Sequence, residues 1–139
     1  MWTKSVSKTL KNASKEKVWK LWSDVDNWTK WHDDLDFTKL HGPFETGSYF
    51  ILKPKGGQKV KIRLLEVIKG RTFTDCTHFI GAKMYDIHEM EEVGDGLKIT
   101  MTMKVTGPLG FLWRKLVAEK VFADNPKHLQ DLAILAKKD

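Results

Sequence analysis

The sequence predicts an α+β fold: a strongly curved antiparallel sheet of about six to seven strands around one long C-terminal helix, with two short helices after the first strand. Three observations carry this expectation. Between Phe37 and Gly107 the apolar residues recur at strand spacing, in long runs punctuated by glycine and proline. From Pro108 almost to the end the pattern changes to helical spacing and stays there. A short helical tract, ASKEKVWKLWSDVDNWTKWHDD, interrupts the strands near the start.

Residues 2 to 10, WTKSVSKTL, lack a helical stripe and read as the first strand, with Val6 and Leu10 on one face. Ser14 then suits an N-cap, Glu16 the first turn, and Val18, Leu21 and Trp22 the inner face of a helix. Residues 26 to 34 are expected to form the second short helix, capped by Asp26 or Asn27. On it Trp28 and Trp31 would share one face. The strand runs FTKLHG, GSYFILKP, QKVKIRLLEVI, RTFTDCTHFI, KMYDIHEMEEV and LKITMTMKVTG follow, with turns at Gly42-Pro43, Gly56-Gly57, Gly81-Ala82 and Gly94-Asp95-Gly96. The last run is the clearest, setting Leu97, Ile99, Met101, Met103 and Val105 opposite Lys98, Thr100, Thr102 and Lys104. Pro108 suits the first turn of the closing helix. Leu109, Leu112, Trp113, Leu116 and Val117 make one apolar stripe, and Phe122, Leu129, Leu132, Ala133 and Ala136 another, with a kink expected at Pro126 between them. A helix that long and that apolar must lie across the sheet.

The chain has 139 residues, a size that suits one compact domain spanning 1–139 with a sizeable core. Hydrophobic content of 41% and charged content of 30% argue against disorder. No apolar run approaches the roughly 20 residues of a spanning helix, and the N-terminus has no apolar signal-peptide region. Cys76 is the sole cysteine, which excludes an internal disulfide and a multi-cysteine zinc site and makes the cytoplasm the expected location. The net charge of +6 is spread along the strands without a basic stripe, and Trp19, Trp22 and Trp113 belong to inward helical faces, so a nucleic-acid partner is not expected. Monomer and homodimer both stay open.

The order of elements is a helix-grip arrangement, and particular stretches resemble a known family. ASKEKVWKLWSDVDNWTKWHDD, GPFETGSYF, the HEMEEVGDGLKITM hairpin and the Gly107-Pro108-Leu109 start of a long, proline-interrupted helix are similar to the START/SRPBCC superfamily, within its polyketide cyclase/dehydrase and lipid-transport group. The resemblance covers nearly the whole chain in the family's order. It implies a deep cavity between sheet and C-terminal helix that takes a small apolar, aromatic or lipid-like molecule, with no cofactor. Methionines and aromatic rings, which adapt to irregular space, supply the expected lining: Phe50, Phe73, Phe79, Met84, Met90, Met101, Met103, Trp113 and Phe122, with Trp31 at the mouth. Access is expected at Gly42 to Gly47, at Ile80 to Met84 and at the Pro126 kink.

Two further readings stay open. One is an enzyme of the cyclase/dehydrase type, with Asp75, His88 and Tyr85 as candidate acid–base groups on two strands paired about Gly81. A register setting Phe79 opposite Met84 would bring Asp75 opposite His88, either as a catalytic pair or as an exposed ion pair. The other is a chaperone-associated or toxin-like interaction module, marked by an exposed apolar patch. A metal site is not expected. His32, Asp33, Asp34 and Asp36 are contiguous, side chains one position apart on a helix diverge by about 100°, and no metal-binding motif appears.

Overall fold

A computed structural model describes residues 1–138. Its strands are β1 (Trp2–Lys11), β2 (Leu35–His41), β3 (Tyr49–Pro54), β4 (Val60–Ile68), β5 (Thr72–Phe79), β6 (Ala82–Val93) and β7 (Gly96–Thr106). They form one seven-stranded sheet in the order β1-β7-β6-β5-β4-β3-β2, every neighbour antiparallel. After β1 the chain crosses to the far edge, then meanders back until β7 pairs with β1. Bulges between Leu35 and Phe37 and between Leu64 and Glu66 bend the sheet where one strand carries an extra residue.

The crossing from β1 to β2 is a helical hook. Helix α1 (Lys15–Ser23) starts where the Ser14 hydroxyl accepts a hydrogen bond from the Lys17 N–H at 3.2 Å, and it buries Val18 and Trp22. The second helix is a 3-10 helix, Val25–Lys30, shorter than the expected 26 to 34. Asn27 spends its side-chain amide on both Asp24 carboxylate oxygens, and residues 32 to 34 turn into β2. In a 3-10 helix positions i and i+3 eclipse, so Trp28 and Trp31 still point the same way. The Asp26 carboxylate accepts from the Leu40 N–H at 2.7 Å, and the Thr38 hydroxyl donates to the Val25 carbonyl at 2.7 Å. These bonds tie the hook to β2 and occupy a donor on an otherwise open edge.

The C-terminal tract runs over the inner face of the sheet in four pieces: α2 (Gly110–Trp113), a π-helical turn (Arg114–Ala118), α3 (Glu119–Ala123) and α4 (Asn125–Leu135). Pro126 sits in the first turn of α4, where its missing N–H costs no bond, and the interruption falls just ahead of it at Asp124. The expected stripe of Leu109, Leu112 and Leu116 is partly exposed. The extra residue of the π turn rotates the helix face, so that Ala118 joins Val117 and the expected Phe122 on the inner side. The tract is seated by two glycines. Gly107 has φ +105°, and a Cβ there would lie 2.5 Å from the Gly81 carbonyl oxygen; a Cβ at Gly81, φ +72°, would meet the Leu109 side chain at 2.8 Å. Only glycine permits this approach, which lets the Leu109 N–H donate to the Gly81 carbonyl at 2.9 Å.

Two apolar clusters result. The larger joins hook, sheet and α4 through Val18, Trp22, Trp28, Phe73, Leu129 and Leu132. The smaller packs Met84, Met103, Val105, Ala118 and Phe122 under the start of the helical tract.

Candidate functional site

The space between those clusters is not filled. A cavity of about 440 Å³ lies between the sheet and the C-terminal helices. Its floor is the inward face of the central strands, set by the period-two alternation of each. Phe73, Asp75, Thr77 and Phe79 come from β5, Met84, Asp86 and His88 from β6, and Met101 from β7. Its roof is a single helical stripe, Val117, Val121, Asn125, His128 and Leu132. The rim is formed by Trp31, His32 and Asp34 of the hook and by the β3–β4 turn at Gly57 and Gln58. Access therefore lies between that turn and the helices, away from the expected Gly42 to Gly47, and none of those six residues lines the cavity.

The register between β5 and β6 differs from the expected one by two residues. Phe79 pairs with Ala82, Thr77 with Met84, Asp75 with Asp86 and Phe73 with His88. The connection has only two central residues, Ile80 and Gly81, which makes the hairpin tighter. A shift of two keeps every side chain on its face. Asp75 and His88 thus both reach the cavity, but the cross-strand partner of Asp75 is another carboxyl, and the expected ion pair does not form. The exposed alternative fails as well, since Asp75 is only 4% exposed.

The electrostatics follow from enclosure. Burial, then the Asp86 charge, then a hydrogen bond to Asp86 hold the Asp75 carboxyl well above the usual carboxylate range. Burial pushes Asp86 up to about 7, its hydrogen bond to Asp75 opposing. Two carboxyls in one dry space share a proton more easily than they ionise together. The His88 imidazole, stacked on Phe73 at 4.1 Å and edge-on to Trp22 at 5.5 Å, is lowered to about 3 by burial and by the nearby His128. It is neutral near pH 7. Asp75 Oδ1, Thr77 Oγ1 and His88 Nδ1 are all buried with no hydrogen-bond partner among the described residues. Buried polar atoms are rarely left so. Here three of them line one apolar cavity.

Other predicted residues sit elsewhere. Trp31, Phe50, Phe73, Phe79, Met84 and Met101 line the cavity, whereas Met90, Met103, Trp113 and Phe122 do not. Met90 packs in the larger cluster, and Met103 and Phe122 in the smaller. Trp113 lies outside, stacked on Phe79 at 4.5 Å, with its Nε1–H donating to the Ile80 carbonyl at 2.8 Å. Tyr85 points away from the cavity, where the Lys104 ammonium lies 5.9 Å from its ring centroid.

The sequence reading also passed over lining residues. Thr77 and Asp86, which the alternation puts on the same face as Asp75 and His88, were not among the expected site residues. His128 and Asn125 continue the spacing of Val117 and Val121 toward Leu132. At the rim His32, Asp34 and His128 come together, their ligand-type atoms all within 4.8 Å of one another. His32 stacks on His128 with ring centroids 4.1 Å apart, and His128 Nε2 lies 3.5 Å from Asp34 Oδ1. Asp33 and Lys127 pair beside them, fastening hook to α4.

Comparison with known proteins agrees with this architecture. The described fold superposes on hypothetical protein jhp0584 from Helicobacter pylori with a TM-score of 0.78 at 14% identity, covering 98% of this chain and 88% of that one. It superposes on the di-domain ARO/CYC StfQ of the steffimycin biosynthetic pathway at 0.79 and 8% identity, covering 96% of this chain and 50% of that one. Norcoclaurine synthase from Thalictrum flavum, solved with dopamine and hydroxybenzaldehyde, matches at 0.69 and 15% identity, with 96% and 86% coverage. At these identities the likeness is one of fold. No curated protein matches the chain in sequence. The profile of the polyketide cyclase/dehydrase and lipid transport family matches residues 1–137. The chain belongs to that family, a branch of the SRPBCC/START-like helix-grip proteins.

Proposed function

We propose that this protein binds a small apolar or aromatic molecule that carries polar substituents, enclosed between the sheet and the C-terminal helices. The observation that carries this reading is the combination of an apolar cavity of about 440 Å³ with three unpartnered polar atoms, on Asp75, Thr77 and His88, at its floor. Apolar walls supply affinity, and a few fixed polar groups supply orientation. A protonated Asp75–Asp86 pair donates to a ligand carbonyl or hydroxyl, and neutral His88 either donates or accepts. The family, and the small aromatic compounds bound to norcoclaurine synthase, support the same class of ligand.

A second reading is favoured by one specific feature, the carboxyl pair. A carboxyl near neutral pKa inside a dry cavity suits a general acid or base, and StfQ is an ARO/CYC protein on this fold. Native mass spectrometry of protein purified from its own host is expected to find a small molecule retained in one-to-one ratio. Protein that emerges empty from the host, and that binds none of the host's extracted small molecules, would sink both readings. With the recovered compound, Asp75→Asn separates them. A binding protein keeps its affinity to within about tenfold, about one lost hydrogen bond, while an enzyme loses turnover.

A further inference from the structure

We propose that His32, Asp34 and His128 form a binding site for a borderline divalent transition-metal ion, of the zinc(II) class, at the rim of the cavity. Three observations support it. First, the two imidazoles and the carboxylate come from the hook and from α4, far apart in the chain, yet their ligand-type atoms lie within 4.8 Å of one another. That distance is short of coordination but close to it. Metal–nitrogen bonds of about 2.0–2.1 Å in a tetrahedral site put ligand atoms roughly 3.3 Å apart, so movements of about an ångström complete the set.

Second, two of these atoms have no other use. His32 Nε2 and Asp34 Oδ1 are buried and make no hydrogen bond among the described residues, and the latter stands 3.5 Å from His128 Nε2. Asp33 is excluded from the cluster by its own partner, Lys127, on the outer side. The same pair fixes the hook against α4 and so holds the donor groups in register.

Third, the donor set selects the ion. Two imidazoles and one carboxylate suit zinc(II), cobalt(II), nickel(II) or iron(II), and not the oxygen-preferring magnesium or calcium. Three protein donors leave a coordination position over, and because His32, Asp34 and His128 all line the cavity, that position faces the space assigned to the organic ligand. Binding requires the stacked rings, now 21° from parallel, to splay so that both nitrogens aim at one point. The ion would thus replace a ring stack by a covalent-strength staple between hook and helix. The stepwise divergence of a contiguous run, which argues against a site within residues 32 to 36, does not apply once His128 supplies a third donor from α4.

The test is calorimetric titration of the metal-stripped full-length protein with zinc chloride, with magnesium chloride as comparison and no organic ligand added. The expected result is one equivalent of zinc bound, no magnesium bound, and a raised melting temperature. Affinity is expected to fall at least about 100-fold in His128→Ala and at least about tenfold in Asp34→Asn. His41→Ala and His78→Ala are expected to bind as the unaltered chain does. Cobalt(II) provides a second readout: its visible ligand-field absorption is expected in the unaltered protein and absent in both site variants. Asp34→Asn keeps the shape of the side chain, so it decides the matter if His128→Ala fails to fold. Zinc binding that is undetectable, or that survives unchanged in Asp34→Asn, would overturn the proposal. The titration uses no organic compound, so its failure leaves the ligand reading standing, and the reverse holds as well.

Discussion

At Asp75 and Asp86 the sheet sets two carboxyls opposite each other in an enclosed space, and burial outweighs every neighbour in fixing their titration. Both hold a proton more tightly in the folded chain than in the unfolded one. At these two groups the folded state therefore binds more protons, and their contribution to stability falls as pH rises. The contribution is complete below the ordinary carboxylate range and, for Asp86, is lost as pH passes upward through about 7. His88 and His32, both lowered to about 3, act in the opposite direction, because their unfolded imidazoles take up protons below about pH 6.5 that the folded ones do not. The carboxyl contribution is therefore read as a difference between proteins that share both histidines. Asp86→Asn removes one member of the pair. Relative to the unaltered protein, its thermal midpoint is expected to rise between about pH 5 and about pH 8, as followed by circular dichroism. An equal change in both would show that the pair titrates normally. Alternation along β5 and β6 made the inward face of Asp75 and His88 legible in the sequence. Their partners were not, because pairing depends on how many residues the turn at Gly81 consumes.

Elements show the same division between what a local pattern specifies and what tertiary packing decides. Helix α1 was legible to its cap, since Ser14, Val18 and Trp22 occupy fixed offsets that serve one local structure. The C-terminal tract was legible as helix but not as four pieces. Nothing local marks the π turn at Arg114–Ala118, which arises because the inner face must follow the sheet past Gly107 and Gly81. Four expected lining residues missed the cavity as a consequence of such packing. Trp113 stacks on Phe79 outside the cavity, Met103 and Phe122 pack into the smaller cluster and Met90 into the larger. The contact between Gly107 and Gly81 is the joint on which the tract is seated. Gly107→Ala must adopt φ +105° with a Cβ 2.5 Å from the Gly81 oxygen. It is expected to cost at least about 2 kcal/mol in denaturant unfolding. A loss below about 0.5 kcal/mol, the range of ordinary surface changes, would mean that the approach is not needed.

On the scale of the whole molecule, the antiparallel sheet and its helix were legible because each strand run and the closing helix carry their own period, whereas the return of β7 to pair with β1 was not. The cavity was legible mainly as an implication of the family resemblance, with weaker support from a curved sheet gripping one helix. Composition cannot distinguish methionines and aromatics that fill a core from those that line a void. Protein interiors are close-packed, with few spaces larger than a water molecule, so an apolar space of about 440 Å³ stands out against the two well-filled clusters beside it. The tryptophan-rich hook illustrates the change of view. Trp28 is architecture, its Nε1–H bonded to the Leu21 and Trp22 carbonyls at 3.2 and 3.1 Å, while Trp31 and His32 form the rim.

The central claim is that this space is open and receives a ligand. The most direct test is fluorescence titration of the native protein and of Thr77→Phe with anilinonaphthalene sulfonate, an aromatic probe. Thr77 is 2% exposed on the cavity floor, so a phenyl ring there fills the space. In a packed core such an insertion costs about 1–3 kcal/mol. With a cavity, Thr77→Phe is expected to melt no lower than the unaltered protein and to bind the probe at least about tenfold more weakly, one carbon-rich side chain displacing another. Saturable one-to-one binding that Thr77→Phe weakens is the predicted result. Binding equal in the two proteins would place the probe on the exposed apolar surface, and no binding to either would contradict an open cavity.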